Sequence, residues 1–425
     1  MEVDKIVQHF EGKTIFITGA TGFLAKVLVE KILRVQPNVK KLFLLIRASN
    51  VRSSEQRFHK EVVDTELFQV LRNKWGENLT SFLSSKVVPI SGDVCHENLG
   101  IINTELRDAM WKDIDFIVNS AATTRFDERY DVAMDINTFG ALHVLNFAKN
   151  CSKLKLLLHV STAFVHGTSP GLILEKQFQM GETLEGAKVS YLDINGEKKL
   201  VEERKTKLQA QNMTEKELTS TLKDLGVERA VLHGWPNTYS YTKAMGEMLL
   251  EKFKENINIV IMRPTIITST WREPFPGWME GLRTLDSIFV GLGKGKLKVF
   301  LGDPNTTLDM IPGDMVVNSM LVAMAIRSHQ SSDEIIIYNI GSSLRNPIKY
   351  DNVRCLIYQY LKRNPLVNDT GKPIKMAKVK ILSSMSSFHR YIEIRYLPIL
   401  KVKFVSILSS LLLSILIKVT NYMCN

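Results

Sequence analysis

Apolar runs of strand length alternate with helical patterns along the first two-thirds of the chain, the arrangement expected of βαβ units and a parallel sheet buried on both faces. The runs predict strands at Thr14–Thr18, Lys41–Arg47, Lys86–Ile90, Asp115–Ala122, Lys155–Thr162 and Asn258–Thr265. Helical stretches lie between them, for example Phe23–Arg34 and Asn137–Asn150. A parallel crossover needs a dozen or more residues and is nearly always right-handed, so this order predicts an α/β fold with a Rossmann-type doubly wound parallel sheet.

The alternation is interrupted between Gly167 and Trp235, where charges are dense from Glu197 to Arg229. Such a stretch reads as solvated helices, either a surface excursion or a lid over a bound substrate. Beyond Pro264 the pattern loosens into the turn-rich segments GWMEGLRT, GLGKGK and LGDPN, and then gives one more strand at Ile335–Ile340. The expected division is a Rossmann domain at 1–300, with a helical insertion at about 167–235, and a smaller, mainly helical substrate-binding and tail region at 301–425. Near the end, Phe404–Ile417 reads FVSILSSLLLSILI, uncharged between Lys403 and Lys418. It falls short of the ~20 apolar residues that cross a bilayer, and fits either peripheral contact with a membrane or a buried, partner-covered helix.

Composition narrows the classes. A chain of 425 residues, 45% hydrophobic and 23% charged, can bury a large core, which excludes wholesale disorder. A net charge of +11 favours partners that carry phosphates or an anionic membrane surface. There is no Lys/Arg-rich run interleaved with aromatics and no nucleic-acid fold signature, so no nucleic-acid partner is expected. Cys95, Cys151, Cys355 and Cys424 are widely spread, without CxxC or zinc spacing, which points to a reducing compartment and no metal. Met1–Lys13 lacks both an apolar h-region and Arg/Ser-rich transit character, so neither secretion nor a plastid is expected.

The first strand runs into Gly19-Ala20-Thr21-Gly22-Phe23-Leu24-Ala25, and a helix begins inside this segment. Glycines there allow a tight turn and close approach to a pyrophosphate, with the helix N-terminus facing the anion. The GxxGxxA spacing departs from GxGxxG, but the flanking strand and amphipathic helix are the context a dinucleotide site requires. The second strand ends in Arg47, where NAD-preferring sites carry an acid for the ribose 2′-hydroxyl. An arginine at a strand end is also an ordinary solvated charge; the missing acid makes it a candidate for the 2′-phosphate of NADPH. Asp93, followed by Val94 after the third strand, is positioned for the adenine, and Asn119-Ser120-Ala121-Ala122 lets backbone lie close to the cofactor.

Tyr239 and Lys243, four apart in TYSYTK, share one helix face. A phenol is a poor catalyst at neutral pH, and an adjacent ammonium is expected to lower its pKa. Tyr358 and Lys362 repeat the spacing, but lie after the whole sheet and read as ordinary helix residues. The fifth strand ends in His159-Val160-Ser161-Thr162-Ala163 at the carboxyl edge, where open α/β sheets bind ligands. Thr162 is assigned as the hydrogen-bond donor to a substrate oxygen while Tyr239 supplies the proton; Ser161 is its rival, because one residue of register exchanges their faces. His159 and His166 read as structural.

The segments TGATGFLAK, AATTRFDERYD, INTFGALHVLNFAK, LLHVSTAFVHG, HGWPNTYSYTKAMGE, IMRPTIITST and EPFPGWMEGLRT together resemble plant alcohol-forming fatty acyl-CoA reductases of the extended short-chain dehydrogenase/reductase type, over residues 8 to 350. The resemblance implies that Tyr239, Lys243 and Thr162 assist two hydride transfers from NADPH, converting a long-chain acyl-CoA through an aldehyde to a primary alcohol with release of CoA. It implies a role in wax, suberin or pollen-wall lipid synthesis, and a site in the cytosol or on the cytosolic face of the endoplasmic reticulum. The expected cofactor set is Gly19, Thr21, Gly22, Phe23, Leu24, Arg47, Asp93, Val94, Ala121, Ala122, Lys243 and Pro264. Two other readings stay open: another NADP-dependent reductase or epimerase of the extended type, or a cofactor-binding remnant, since the tail reads as shortened against the family. The oligomeric state is left open.

Overall fold

The computed structural model describes residues 3–211, 213–282, 284–330, 334–375 and 379–395. The apolar run Phe404–Ile417 and Cys424 lie outside the described residues. Contacts divide the chain into two units, the first comprising Met1–Glu280 with Met310–Ser342 and the second Gly281–Asp309 with Ser343–Asn425.

The first unit is built on seven parallel strands: β1 (Thr14–Thr18), β2 (Lys41–Ile46), β3 (Val87–Ser91), β4 (Phe116–Asn119), β5 (Leu156–Val160), β6 (Ile259–Pro264) and β7 (Ile336–Ile340). Their order across the sheet is β7-β6-β5-β4-β1-β2-β3. This is a doubly wound Rossmann sheet. β1, β4 and β6 are buried along their whole length, which is why they read as unbroken apolar runs with no alternation. β3 is an edge strand, and Pro89, which cannot donate to a ladder, is tolerated there.

The expectation that Ile335–Ile340 lies in a separate C-terminal part is corrected by the pairing of β7 with β6, from Ile336 opposite Val260 to Ile340 opposite Pro264. The boundary at 300/301 is likewise displaced: the chain leaves the first unit at Gly281 and re-enters it at Met310. Element ends also differ from the pattern, three of them at or near the site. β4 stops at Asn119 and β5 at Val160, so residues 120–122 and 161–162 leave the sheet at its carboxyl edge. The helix expected at Asn137–Asn150 is a wide π-type turn, Met134–Phe139, continued by Gly140–Lys149.

One face of the sheet is covered by the phosphate-loop helix (Phe23–Val35) and the helix Gly313–Arg327, whose Val27, Leu28, Ile32, Val317 and Met320 are fully shielded. On the other face, Val144, Leu145, Phe147 and Ala148 of Gly140–Lys149 meet Phe16, Ile117 and Leu157. The tyrosine helix (Thr238–Phe253) crosses the Met134–Phe139 turn at very close range: a Cβ at Gly246 would sit 2.4 Å from the Asn137 carbonyl oxygen. Only glycine fits there.

The interruption in the alternation forms two helices, Ile194–Ala210 and Glu215–Leu232. Their Val201, Leu208, Leu218 and Leu222 join Tyr130, Trp235 and Tyr241 in a third apolar cluster that backs the tyrosine helix. The reading of the charged stretch as solvated is corrected at both named ends. Glu197 is buried, receiving hydrogen bonds from Tyr130 (2.7 Å) and Arg229 (3.0 and 3.1 Å) and lying 3.3 Å from His233 Nε2. Charge alternation along one segment gives no sign of partners on other helices.

The second unit holds the helices Thr284–Gly293, Tyr350–Arg363 and Met385–Arg395 and two short strand pairs, Val299–Leu301 with Lys380–Leu382 and Thr307–Leu308 with Ile348–Lys349. Leu292, Leu361 and Val379 form its small core. Tyr358 and Lys362 lie on its helix Tyr350–Arg363.

Candidate active site

β1 ends at Thr18, and Gly19 follows with φ +70. A Cβ there would be strained and would meet the Ala121 and Ser120 backbone at 2.8 Å, so the loop must be glycine to lie against the end of β4. Gly22 caps the phosphate-loop helix with extended backbone, and its N–H donates to the Gly19 carbonyl at 2.8 Å. The helix N-terminus and small residues border a cavity of about 210 Å³ lined by Gly19, Thr21, Gly22, Leu45, Arg47, Gly92, Asp93, Val94, Ser120, Ala121, Ala122 and Ile136. A larger cleft, about 1370 Å³, runs along the edge at β3 and is lined by none of Thr162, Tyr239 and Lys243.

Most of the expected cofactor residues therefore converge. Arg47 is exposed at the end of β2 with no side-chain ion pair among the described residues. Four expected members, Phe23, Leu24, Lys243 and Pro264, do not line the cavity. Phe23 stacks on Trp278 at 5.1 Å, Leu24 is buried in the core, and Pro264 ends β6 opposite Ile340. Phe23 and Leu24 can serve a bound anion only through backbone amides. A dinucleotide phosphate fits the cradle, since Gly19, Thr21 and Gly22 border it without bulky side chains and the amides of the following helix start beside it.

Two sequence blocks set the framework. In HGWPN, the Trp235 indole donates to the Val165 carbonyl at 2.7 Å and Asn237 caps the tyrosine helix by accepting the Ser240 N–H at 2.9 Å. In EPFPGW and the two residues before it, the amides of Trp271, Arg272 and Glu273 converge on the Asp314 carboxylate at 2.8, 2.8 and 3.0 Å. Glu273 pairs with Lys31 and Arg34, and Trp278 stacks on Phe23, so this block fastens the phosphate-loop helix.

Tyr239 rises from the first turn of its helix, half-buried, with Phe126 6.0 Å from its ring. Thr162, buried just past β5, accepts the Phe164 N–H at 3.3 Å and lies close enough to the phenol to influence its pKa. Burial pushes the Tyr239 phenol up to about 12, and the neighbouring Thr162 hydroxyl works against that shift. This corrects the expectation that Lys243 lowers it: the lysine ammonium group is engaged elsewhere, donating to the Val160 carbonyl at 2.7 Å and lying 3.4 Å from His159 Nε2. Burial brings Lys243 down to about 8, with Glu247 opposing the shift.

Ser161, the rival of Thr162, is already engaged. Its hydroxyl donates to Glu247, which is held by the fully buried Arg263 through Nε contacts of 3.1 and 3.2 Å. Arg263 also contacts His166 at 2.8 Å and the Lys176 carbonyl at 3.0 Å. His166 is lowered to about 4 by burial and by Arg263. Sequence reasoning missed the Glu247–Arg263 pair, although Glu247 is one further turn along the face that carries Tyr239 and Lys243.

A parallel sheet with a glycine loop after β1 and a Tyr-Lys helix before β6 defines a nicotinamide-dependent oxidoreductase of the extended short-chain dehydrogenase/reductase type. The chain belongs to the male sterility protein family of fatty acyl-CoA reductases: the family's NAD-binding profile matches residues 17–320. It is 54% identical over 391 residues to a probable fatty acyl-CoA reductase 4 of Arabidopsis thaliana, covering 92% of this chain and 79% of that protein. It is 49% identical over 401 residues to an alcohol-forming fatty acyl-CoA reductase of Simmondsia chinensis, covering 94% and 81%. Among solved structures, the terminal R domain of the myxalamid PKS-NRPS pathway superposes with a TM-score of 0.56 at 20% identity, covering 88% of this chain and 72% of that one. It shares the fold.

Proposed function

We propose that the protein reduces long-chain fatty acyl-CoA to a primary fatty alcohol with NADPH, releasing CoA. The observation that carries the reading is the meeting of Thr162, Tyr239 and Lys243 at the carboxyl edge of the sheet, in a chain close to alcohol-forming reductases. NADPH is favoured over NADH by the free Arg47 at the end of β2, where a guanidinium suits a 2′-phosphate.

Gly19, Gly22 and the first amides of the phosphate-loop helix would hold the pyrophosphate, Asp93 and Val94 the adenosine side, and Lys243 the nicotinamide ribose. The bound cofactor supplies a hydride. Each reduction builds negative charge on the substrate carbonyl oxygen, which the Thr162 hydroxyl stabilises by hydrogen bonding while Tyr239 protonates it. Charge and phosphates of CoA suit a chain of net charge +11, and exposed Phe126 and Phe164 next to Tyr239 and Thr162 give an acyl chain apolar surface. The free state of the described cysteines fits a reducing compartment such as the cytosol or the cytosolic face of the endoplasmic reticulum.

Replacing Tyr239 by Phe tests the assignment: turnover falls at least ~100-fold while NADPH affinity, read by fluorescence titration, stays nearly unchanged. Normal turnover in that variant would remove Tyr239 from the mechanism.

A further inference from the structure

The charged insertion reaches the neighbourhood of Tyr239 through one loop. Phe126 stands on the segment between β4 and Tyr130, 49% exposed, with its ring 6.0 Å from that of Tyr239. Asn137 fastens the near side of this segment: its Oδ1 accepts the Thr123 N–H at 3.0 Å and its Nδ2 donates to the Thr123 carbonyl at 3.1 Å. The insertion fastens the far side. Lys223 donates to Asp127 at 2.9 Å, Arg129 donates to Glu215 at 2.7 Å and to Asp131 at 2.8 and 3.1 Å, and Lys205 lies 3.1 Å from Asp131. Among the described residues, every ion pair that the helices Ile194–Ala210 and Glu215–Leu232 make outside the insertion ends on residues 127–131.

Isolated exposed ion pairs contribute little each, but here three of them run from two helices onto five consecutive residues and fix one loop. The apolar faces of the same helices are anchored behind the tyrosine helix, with Leu208, Leu218 and Leu222 in one cluster with Tyr241. Loop and tyrosine therefore share a support. A substrate carbonyl bonded to the Tyr239 phenol brings the carbons beside it within reach of the Phe126 ring, whose open face is apolar. We propose that the insertion is a positioning device: through Asp127, Arg129 and Asp131 it holds Phe126 beside Tyr239, and Phe126 contacts the methylenes next to the thioester, selecting an acyl chain over a polar or branched group there. The proposal rests on the reductase reading.

Holding the ring in place before substrate arrives removes the ordering that a free aromatic side chain and its loop would undergo on binding, which strengthens affinity for the acyl part. Affinity for the cofactor is separate, because none of residues 123–129 lines the cavity formed by Gly19, Arg47 and Asp93. The charged stretch, open in sequence between a surface excursion and a lid, acts in this account as a support beneath the substrate wall.

The test uses the full chain with NADP+ bound, so that no hydride is available, and reads binding of palmitoyl-CoA and of CoA alone by calorimetry. Phe126→Ala should weaken palmitoyl-CoA by about 5- to 10-fold and leave CoA unchanged, and Phe126→Leu should recover most of the loss. Lys223→Asp, which breaks the pair with Asp127, should weaken palmitoyl-CoA by about 2- to 5-fold and speed hydrogen exchange at the amides of residues 124–128. The double variant Asp127→Lys/Lys223→Asp restores the pair with its charges exchanged and should return both readings toward those of the unaltered protein. Palmitoyl-CoA affinity unchanged in Phe126→Ala overturns the proposal, as does an equal loss of CoA in that variant, or a defect in Lys223→Asp that the exchanged pair does not repair. Failure of the unaltered protein to bind palmitoyl-CoA at all would instead remove the reductase reading on which the proposal stands, so the two failures are distinguishable.

Discussion

A phenol raised to about 12 stays protonated throughout the neutral range, so in the proposed mechanism Tyr239 begins each reduction as a proton donor and needs no proton from solvent at that moment. The proposed preference for NADPH also turns on one side chain. Arg47→Glu is expected to weaken NADPH binding far more than NADH binding, read as separate dissociation constants by fluorescence; equal losses would mean that Arg47 does not touch the 2′-phosphate. The Tyr-Lys pair was legible because spacing of four on a helix fixes a shared face. What the lysine meets was not, since His159 and Val160 contact it from β5 and Glu247 acts on it electrostatically from the next helical turn. Thr162 was preferred to its rival Ser161 in sequence without sight of the buried Glu247–Arg263 pair that engages the serine.

Among the elements, the strands were legible because a sheet covered on both faces demands continuous apolar runs, and β1 matches its run from Thr14 to Thr18. The insertion was not, because its charges fold inward onto helices distant in sequence. Glu197 is held down at about 2 by His233, Arg229 and Tyr130 against the opposing effect of burial. A carboxylate with a depressed folded pKa contributes stability that is fully present above its unfolded value near 4.5 and is lost as pH falls toward about 2, on the order of 3 kcal/mol across that window. Glu197→Gln should therefore cost about 3 kcal/mol at neutral pH, measured by urea unfolding, and flatten the acid limb of the stability profile. An unchanged limb would show that the carboxylate is not the group that titrates. Because the same helices back the tyrosine helix through Trp235 and Tyr241, this variant should also lower turnover without altering the protonation of Tyr239.

At the scale of the whole molecule, the sequence pattern read the sheet in order but misjudged where the first unit ends. A segment of second-unit chain, Gly281–Asp309, stands between β6 and β7, so the last strand followed turn-rich sequence and lost its apparent connection to the sheet. Alternation along a chain records neighbours in sequence, and a strand that rejoins after an excursion carries no mark of its partner. The positive balance of +11 and the phosphate cradle belong together in an account in which both cofactor and substrate carry phosphates. The most direct test of that account is NADPH consumption by the purified protein with C16 and C18 acyl-CoA, with released CoA and extracted lipid quantified in the same reaction. Fatty alcohol formed at two NADPH per CoA released is the predicted result; NADPH binding without thiol release, or aldehyde accumulating at one NADPH per CoA, would contradict it.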